Sequence, residues 1–426
     1  MPLHRLMKSG SDSSFKSIRR LMKEHVRLIS VLLATVTSLP FAGGAIGGIY
    51  VWLSPNVMLA SVIAVRSAVL LNLLGLVVVL LCLYRKRWFC YMLCPTGWCC
   101  QHVSRCRNGV SGSRVKPEAI SPKPETPFFW KTANYGKAIA LFTLASALFG
   151  FPLLLWIDPL VVFSGFFSLF RFEQLTVAAI VPVLFLPLLL LSQWVFPLSW
   201  CNKVCPLGGL QDILWTVRTF FFVHTVEKVT RPSSVHRVHH AISRRELLAS
   251  LSGLLAGGLL SAVKPKKNGR ALLPPAAIGS PQFETLCLRC GNCLRACPTQ
   301  IIKRNVAPHV WFAWMTPCID FTGGYCLNDC TICGTVCPSG AISPFTIPAK
   351  KILPIGIARI DVDKCLLQIP KECDRCRSVC AYEALKIEAV NGTSYLPQLD
   401  ESRCVGCGAC AQICPEGVIQ VIKLDI

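Results

Sequence analysis

Charged residues are scarce in this chain, acidic ones above all. Of 426 residues, 15% are charged and 53% are hydrophobic, and 22 Asp and Glu stand against 44 Lys and Arg. A typical soluble domain carries about 25% charged residues. This shortage, with a mean hydropathy of +0.51, argues against an ordinary soluble protein and predicts membrane-spanning segments.

Two cofactor signatures are also missing. The sequence has no Cys-x2-Cys-His, so no c-type haem is indicated, and it has no glycine fingerprint for a nucleotide. The 25 cysteines do not suit a disulfide scaffold, which is normally short and secreted. They cluster in Cys-x2-Cys runs, and this clustering predicts metal sites.

Sixteen cysteines near the carboxyl terminus form four motifs of ferredoxin spacing. The first and fourth motifs match the bacterial run Cys-x2-Cys-x2-Cys-x3-Cys-Pro, and the other two have a longer first interval. In order, the motifs are Cys287, Cys290, Cys293, Cys297; Cys326, Cys330, Cys333, Cys337; Cys365, Cys373, Cys376, Cys380; and Cys404, Cys407, Cys410, Cys414. In such a run three thiolates wrap one cubane and the fourth points toward a second. The pattern therefore predicts four [4Fe–4S] clusters.

Some features of this part stay open. Zinc sites would also use four cysteines each, although ferredoxin-like quartets favour clusters. The spacing does not decide whether the first motif shares ligands with the second or with the fourth. Short β-patterns at 357–362 and 418–422 predict small antiparallel strands of a ferredoxin fold. Cys318 is left outside every motif and is more readily a spare thiol than a ligand.

The preceding sequence is apolar and basic. Four segments near 28–50, 67–84, 138–156 and 177–198 approach the length of a membrane span, and a shorter fifth covers about 247–263. Much of the positive charge lies between these segments, so the net charge of +22 indicates positive-inside topology in preference to nucleic-acid binding. The amino terminus then faces the cytoplasm, and the odd fifth span places the cysteine motifs outside.

The predicted fold is an α-helical membrane bundle, made of two parallel two-span repeats and a fifth anchor span, followed by an α+β bacterial-ferredoxin-like domain. Its predicted parts are a cytoplasmic basic tail (1–27), a four-span membrane domain (28–206), a cytoplasmic basic segment (207–245), the fifth span (246–263), a linker (264–281) and a polyferredoxin domain (282–426). The predicted location is the bacterial inner membrane, with the ferredoxin domain on the periplasmic side.

The apolar part repeats itself. The run Trp52–Pro55 (WLSP) is matched by Trp156–Pro159 (WIDP), and Cys90-x3-Cys94-Pro is matched downstream by Cys201-x3-Cys205-Pro. One motif cannot complete a cubane, but the two together supply four thiols. We therefore expect a fifth iron–sulfur cluster on a pseudo-two-fold axis near the cytoplasmic face. The alternative is two separate redox or structural cysteine pairs.

Other charged residues suggest further sites. Arg66, Asp158, Arg171 and Glu173 lie at the predicted outer end of the bundle, where they could bind a quinol headgroup or simply mark the water interface. Arg244 and Arg245 precede an Ala/Gly/Leu-rich stretch and resemble an internal twin-arginine export signal. The alternative there is an ordinary anchor with two flanking arginines.

These motifs carry a resemblance to two families of periplasmic nitrate reductase systems. The first half resembles the NapH-type membrane quinol dehydrogenase through its four apolar segments, paired Cys-x3-Cys-Pro motifs and Asp158-Pro159. The second half resembles the NapG/MauM-type ferredoxin through Arg244-Arg245 and the four cysteine motifs. One departure is that NapH-type proteins carry a two-cluster tail after the second Cys-x3-Cys-Pro, where this chain runs on to Arg244.

The resemblance implies a fusion that passes electrons from quinol, a diffusible substrate from the quinone pool, to an extracytoplasmic reductase or cytochrome, as in nitrate respiration. No terminal catalytic centre is visible in the sequence, so a partner is required. Two alternatives stay open. The chain could be an electron-donating maturation factor for a metalloenzyme, or it could carry electrons from an outer dehydrogenase to quinone.

Overall fold

The structure is a computed structural model. It describes residues 22–39, 48–67, 73–107, 134–167, 177–227, 243–262, 271–306, 313–368, 372–390 and 394–424. We call the described residues up to 262 the helical half and those from 271 the cysteine-rich half.

Proline fixes where several helices of the helical half begin. α1 covers 22–38 and α2 Ile49–Trp52. The later helices are α3 Pro55–Val65, α4 Leu73–Tyr84, α5 Trp88–Met92, α6 Pro95–Arg107, α7 Tyr135–Ala147, α8 Pro159–Phe167, α9 Val177–Val195, α10 Pro206–Glu227 and α11 Arg244–Ala262. Proline is well suited to the first helical position, because its missing N–H has no partner there anyway. In the helical half, the repeated Trp-x-x-Pro and Cys-x3-Cys-Pro motifs therefore each begin a helix at their proline, at Pro55, Pro95, Pro159 and Pro206.

The predicted membrane spans are wrong. Among the residues that the structure describes, no helix is both long enough and apolar enough to cross a membrane. The apolar run at 138–156 is interrupted, because α7 ends at Ala147 and a turn follows it. α4 has 12 residues and is about 18 Å long, against about 30 Å of hydrocarbon. Other predictions depend on these spans and are therefore wrong as well. They are the α-helical membrane bundle, the integral membrane association and the multi-pass inner-membrane location with a periplasmic ferredoxin domain.

The order of elements repeats within the helical half. A short turn, a helix that starts with proline, a longer helix, a short helical turn and a second proline-started helix occur twice, once over α2–α6 and once from Leu155–Ile157 to α10. Two helix N-caps meet where the repeats touch. Ser54 Oγ accepts from the Val57 N–H and donates to Asp158 Oδ2 at 2.8 Å, and Asp158 Oδ1 accepts from the Leu160 N–H. Both caps are fully buried.

α11 begins at a capping box and packs through glycine. Ser243 Oγ accepts from the Glu246 N–H while Glu246 Oε2 accepts from the Ser243 N–H. Gly253 and Gly257 face α7 so closely that a Cβ at either position would lie within 3 Å of a backbone oxygen. Their spacing, i and i+4, places both on one face of the helix.

The cysteine-rich half consists of short elements around its cysteine loops. Its helices are α12 Gln282–Leu286, α13 Asn292–Ala296, α14 Ile332–Thr335, α15 Ile347–Lys350, α16 Arg375–Ser378 and α17 Ala409–Ile413. Its strands are β1 Ile302–Arg304, β2 Pro317–Ile319, β3 Ile357–Ile360, β4 Leu385–Val390, β5 Ser394–Leu399 and β6 Ile419–Ile422. They pair antiparallel as β1–β2, β3–β6 and β4–β5. The β3–β6 pair confirms the strands predicted beside the third and fourth motifs.

The two halves share one core. Val57, Ala60 and Val161 of the helical half pack in the same buried cluster as Phe283 and Cys287. Arg295 of α13 is buried and donates through Nη1 to the Ser38 carbonyl at 2.6 Å and through Nη2 to Ser164 Oγ at 3.1 Å. Part of the predicted linker also joins this assembly, since Leu272 and Ala277 form β-bridges with Ile319 and Ile342.

Candidate metal centres

Four cavities of similar size in the cysteine-rich half are each lined by four cysteines. We name these sets the first to fourth quartets. They are Cys287, Cys290, Cys293 and Cys337 (≈ 420 Å³); Cys297, Cys326, Cys330 and Cys333 (≈ 370 Å³); Cys380, Cys404, Cys407 and Cys410 (≈ 360 Å³); and Cys365, Cys373, Cys376 and Cys414 (≈ 400 Å³). Three cysteines of each quartet come from one motif and the fourth from another. The first motif exchanges its last cysteine with the second, and the third with the fourth.

Local backbone geometry explains this exchange. In the first motif Gly291 has φ +76° and caps α13, and Cys297 ends the helix in an extended conformation before Pro298. In the fourth motif Gly408, with φ +82°, and Cys414 do the same around α17. Glycine tolerates this positive φ, which turns the loop around its three cysteines. The last cysteine then leaves the helix on the side of the neighbouring quartet.

The spread of the sulfurs distinguishes a cluster from a single ion. A tetrahedral zinc site holds every sulfur about 2.3 Å from one ion. Within the described ranges, no group of three or more Cys, His, Asp or Glu side chains is placed to hold one metal ion. A cubane carries iron at four corners, one for each thiolate, and keeps the sulfurs further apart. An all-thiolate quartet around an open cavity therefore fits a [4Fe–4S] cluster.

Burial controls the charge of these thiols. It raises the pKa of Cys287, Cys333 and Cys410 to about 12 each. Without metal such thiols stay protonated at neutral pH, so binding iron must release protons. Near the second quartet, burial also raises the pKa of Cys326, against an opposing effect of the Lys350 ammonium.

Lys350 is buried beside the second quartet. Its Nζ donates to the Cys330 carbonyl at 2.7 Å and to the Leu327 carbonyl. The side chain is 2% exposed, so its charge acts in a poorly solvated environment and is screened little by water.

The quartets succeed one another along the cysteine-rich half. Exchange of cysteines places the first beside the second and the third beside the fourth. The Cys326 N–H donates to the Cys407 carbonyl at 2.9 Å, which joins the second to the third. The first quartet abuts the helical half, and the four cysteines of the fourth quartet are all partly exposed. The row thus has one buried end and one accessible end.

A fifth cavity of ≈ 550 Å³ lies in the helical half and contains Cys90, Cys94, Cys201 and Cys205. Both Cys-x3-Cys-Pro motifs contribute to it. The Gly97 N–H donates to Cys94 Sγ at 3.3 Å and the Gly208 N–H donates to Cys205 Sγ at 3.4 Å. These equivalent contacts come from the first turns of α6 and α10. We call these four cysteines the fifth quartet.

Polar side chains surround the fifth quartet. Gln211 Nε2 donates to Cys90 Sγ at 3.1 Å. Arg87 lines the cavity, donates through Nε to Asp212 Oδ1 at 2.9 Å and reaches Asn202 Oδ1 at 3.1 Å. Asp212 is largely buried with it. Burial raises the pKa of Cys90 to about 12.

The predicted quinol residues do not assemble in the described part of the chain. Asp158 is fully buried, and its two oxygens accept hydrogen bonds from the Leu160 N–H and the Ser54 hydroxyl. Arg66 is an exposed residue at the end of α3. Arg171 and Glu173 lie outside the described residues. Arg244 and Arg245 are exposed at the start of α11, which leaves their export role a prediction.

Several functional neighbours were missed from the sequence. Lys350, Gln211 and Arg295 have no motif of their own, and their roles depend on chain segments that are distant in sequence. Cys318 lies in β2, where burial raises its pKa to about 11, and it lines none of the five cavities.

Known families match parts of this chain. Residues 282–303 match the 4Fe-4S binding domain and residues 369–418 match the 4Fe-4S dicluster domain. The methylamine utilization ferredoxin-type protein MauM of Methylophilus methylotrophus is 30% identical over 197 residues, which are 43% of this chain and 84% of that protein.

The ferredoxin-type protein NapF of Escherichia coli K12 is 31% identical over 172 residues, 40% of this chain and 93% of NapF. Ferredoxin-type protein NapG of the same organism is 28% identical over 208 residues, 43% of this chain and 84% of NapG. No solved structure matches the chain significantly. These similarities support the ferredoxin part of the predicted fusion and leave its NapH part without support.

Proposed function

This chain belongs to the family of ferredoxin-type iron–sulfur proteins represented by MauM and NapF, and on that premise we propose that its first to fourth quartets bind four [4Fe–4S] clusters that relay electrons between two partners. The observation that carries the proposal is the set of four cavities of similar size, each of which is lined by four cysteines. Electron transfer in general follows from the family; the number of clusters and the partners are the proposal.

In such a relay the protein holds the clusters, buries them and tunes their reduction potentials. A bound [4Fe–4S] cluster takes up and returns one electron without making or breaking a bond in the protein. Around the cavities, the Ile342 N–H donates to Cys337 Sγ at 3.4 Å and the Ala384 N–H donates to Cys380 Sγ at 3.3 Å. Hydrogen bonds to sulfur and nearby cations such as Lys350 favour the reduced, more negative state.

The two ends of the row suit different roles. The first quartet is buried against the helical half, and the fourth is accessible from solvent. We place the acceptor, a reductase or cytochrome, at the fourth quartet. For the donor we propose quinol, because the paired Cys-x3-Cys-Pro motifs resemble those of quinol dehydrogenases. The pathway we favour is nitrate reduction.

A maturation factor is the second candidate. The observation that favours it is the similarity to MauM, whose name refers to methylamine utilization. Such a factor would supply electrons to a metalloenzyme under assembly. Neighbouring genes discriminate: a molybdenum reductase favours respiration, and assembly genes for a protein-derived quinone cofactor favour maturation.

Anaerobic reduction of the purified chain tests the main proposal. A quinol analogue should reduce the clusters, with electron paramagnetic resonance (EPR) signals of reduced [4Fe–4S] centres. Cys404→Ser, in the third quartet, should lower the iron content by about four atoms per chain, whereas Cys318→Ser should not. Clusters that stay oxidised with quinol present would exclude quinol as donor. Unchanged iron in Cys404→Ser would refute the cluster assignment itself.

A further inference from the structure

The fifth quartet has the same make-up as the other four. Two chain segments separated by more than a hundred residues bring Cys90, Cys94, Cys201 and Cys205 to one cavity. Its ≈ 550 Å³ is somewhat larger than the 360–420 Å³ of the others. As in those sites, the sulfurs are not grouped for a single metal ion within the described ranges. Four thiolates are ligands for zinc as well as for a cubane, and the spread of these sulfurs favours the cubane.

The surroundings of the fifth quartet are suited to thiolates. Three of its sulfurs receive a hydrogen bond, from the Gly97 and Gly208 backbone and from the Gln211 amide. The N–H groups come from helix starts, where the helix dipole favours negative charge. Arg87 adds a guanidinium that lines the cavity. Such outer contacts are typical of a site that orients and tunes its ligands.

One short helix joins this site to the first quartet. Pro159, the first residue of α8, lines the fifth cavity. Ser164 of the same helix accepts a hydrogen bond from Arg295, which lies between Cys293 and Cys297. These two residues of α8 are about 7.5 Å apart along the helix axis. Between them, Leu160 packs with Cys94 and Cys205, while Val161 belongs to the core that contains Cys287 and Cys290.

We propose that Cys90, Cys94, Cys201 and Cys205 bind a fifth iron–sulfur cluster, adjacent to the first quartet across α8. The row of sites then has five members and extends from the helical half to the fourth quartet. Its continuity with the other four rests on the proposed function, but the binding of iron by the fifth quartet does not. The topology predicted from the sequence separates this site from the ferredoxin domain by a membrane. In the structure, α8 instead contacts both the fifth quartet and the first.

Iron analysis of the intact, anaerobically purified chain is the first test. Five clusters give about twenty irons and as many acid-labile sulfides per chain, whereas four give about sixteen. Cys94→Ser and Cys205→Ser should each remove about four irons. Cys99→Ser is the matched control, because Cys99 lies on α6 but does not line the cavity. About sixteen irons in the intact chain, zinc in place of the missing iron, or disulfides within each Cys-x3-Cys pair would overturn the proposal.

EPR of a Gln211→Leu variant provides a second test, which remains informative if a cysteine variant fails to fold. Gln211→Leu removes the amide hydrogen bond to Cys90 without removing a ligand. It should retain all the iron and shift the midpoint potential of one centre to a lower value. In the intact, fully reduced chain, magnetic coupling between the fifth site and the first should broaden the signal, and Cys94→Ser should sharpen it. Identical titrations for Gln211→Leu and the unmodified chain would contradict the assignment.

Cys404→Ser separates this inference from the proposed function. If the intact chain holds about sixteen irons and this variant about twelve, the four-cluster relay stands and the fifth site falls. If Cys404→Ser loses no iron, the relay proposal fails whatever Cys94→Ser shows.

Discussion

Asp158 is buried where the two repeats of the helical half meet, and its replacement by Asn should strengthen that junction at neutral pH. Burial raises the pKa of the Asp158 carboxyl to about 6, despite hydrogen bonds from Ser54 and the Leu160 N–H. Asn is an equally good N-cap, and its amide can donate to Ser54 Oγ. Asp158→Asn therefore keeps the cap and removes the buried charge.

The magnitude follows from the pKa. Because the carboxyl pKa is higher in the folded chain than its ordinary 3.8, the folded state holds the proton more tightly than the unfolded state. The contribution of Asp158 to the free energy of unfolding is then greatest at low pH, and it falls as the pH rises through 6. A change from 3.8 to about 6 corresponds to about 3 kcal/mol above both values. Of this, about 1.4 kcal/mol is lost between pH 5 and pH 7.5.

Hydrogen exchange measures the pH dependence of the local free energy of opening around Asp158, without requiring reversible unfolding of the whole chain. The protection of α3 and α8 amides is compared between Asp158→Asn and the unmodified chain at each pH, which cancels the intrinsic pH dependence of exchange. The free-energy advantage of the variant should grow by about 1.4 kcal/mol from pH 5 to pH 7.5. Asp320→Asn is a matched control, since Asp320 Oδ1 also accepts an N–H two residues on but is not fully buried. An advantage that stays constant or shrinks with pH would refute the reasoning.

Three further predictions concern the cysteine-rich half. Gly406→Ala should remove the iron of the third quartet, since Gly406 has φ +66° and a Cβ there would lie 2.3 Å from the Gly356 carbonyl oxygen. Gly417→Ala should retain this iron, because Gly417 has a similar φ but open space around it. Equal loss of iron in both variants would contradict the steric argument. Lys350→Met should lower the midpoint potential of one centre in a potentiometric EPR titration, because it removes a buried cation beside the second quartet. Lys351→Met should leave the potential unchanged, because Lys351 is exposed. An unchanged potential in Lys350→Met would count against the charge effect. Removing iron with a chelator should make the cysteine-rich half protease-sensitive, since the metal-bound quartets replace much of an apolar core; continued resistance in limited proteolysis would refute this.

The chemistry of the cysteine-rich half was predictable from the sequence because it depends on local spacing. A cysteine loop with glycine at a left-handed position and proline after the last cysteine imposes the same backbone at the first and fourth motifs wherever they occur. The β3–β6 pair was predictable for a similar reason, since its β-pattern is local. Which motifs exchange cysteines was not, because that depends on how the loops pack.

The helical half shows the limit of composition. Its apolar runs predict membrane spans, yet no helix among the described residues is both long enough and apolar enough to cross a membrane. Hydropathy averages over a window and does not record where a helix ends. The repeat, by contrast, was visible in the letters around Pro55 and Pro159. Whether its four cysteines meet, and whether they lie near the first quartet, only tertiary packing could decide, since Cys94 and Cys205 are brought together by contacts of α6, α8 and α10 that no local pattern specifies.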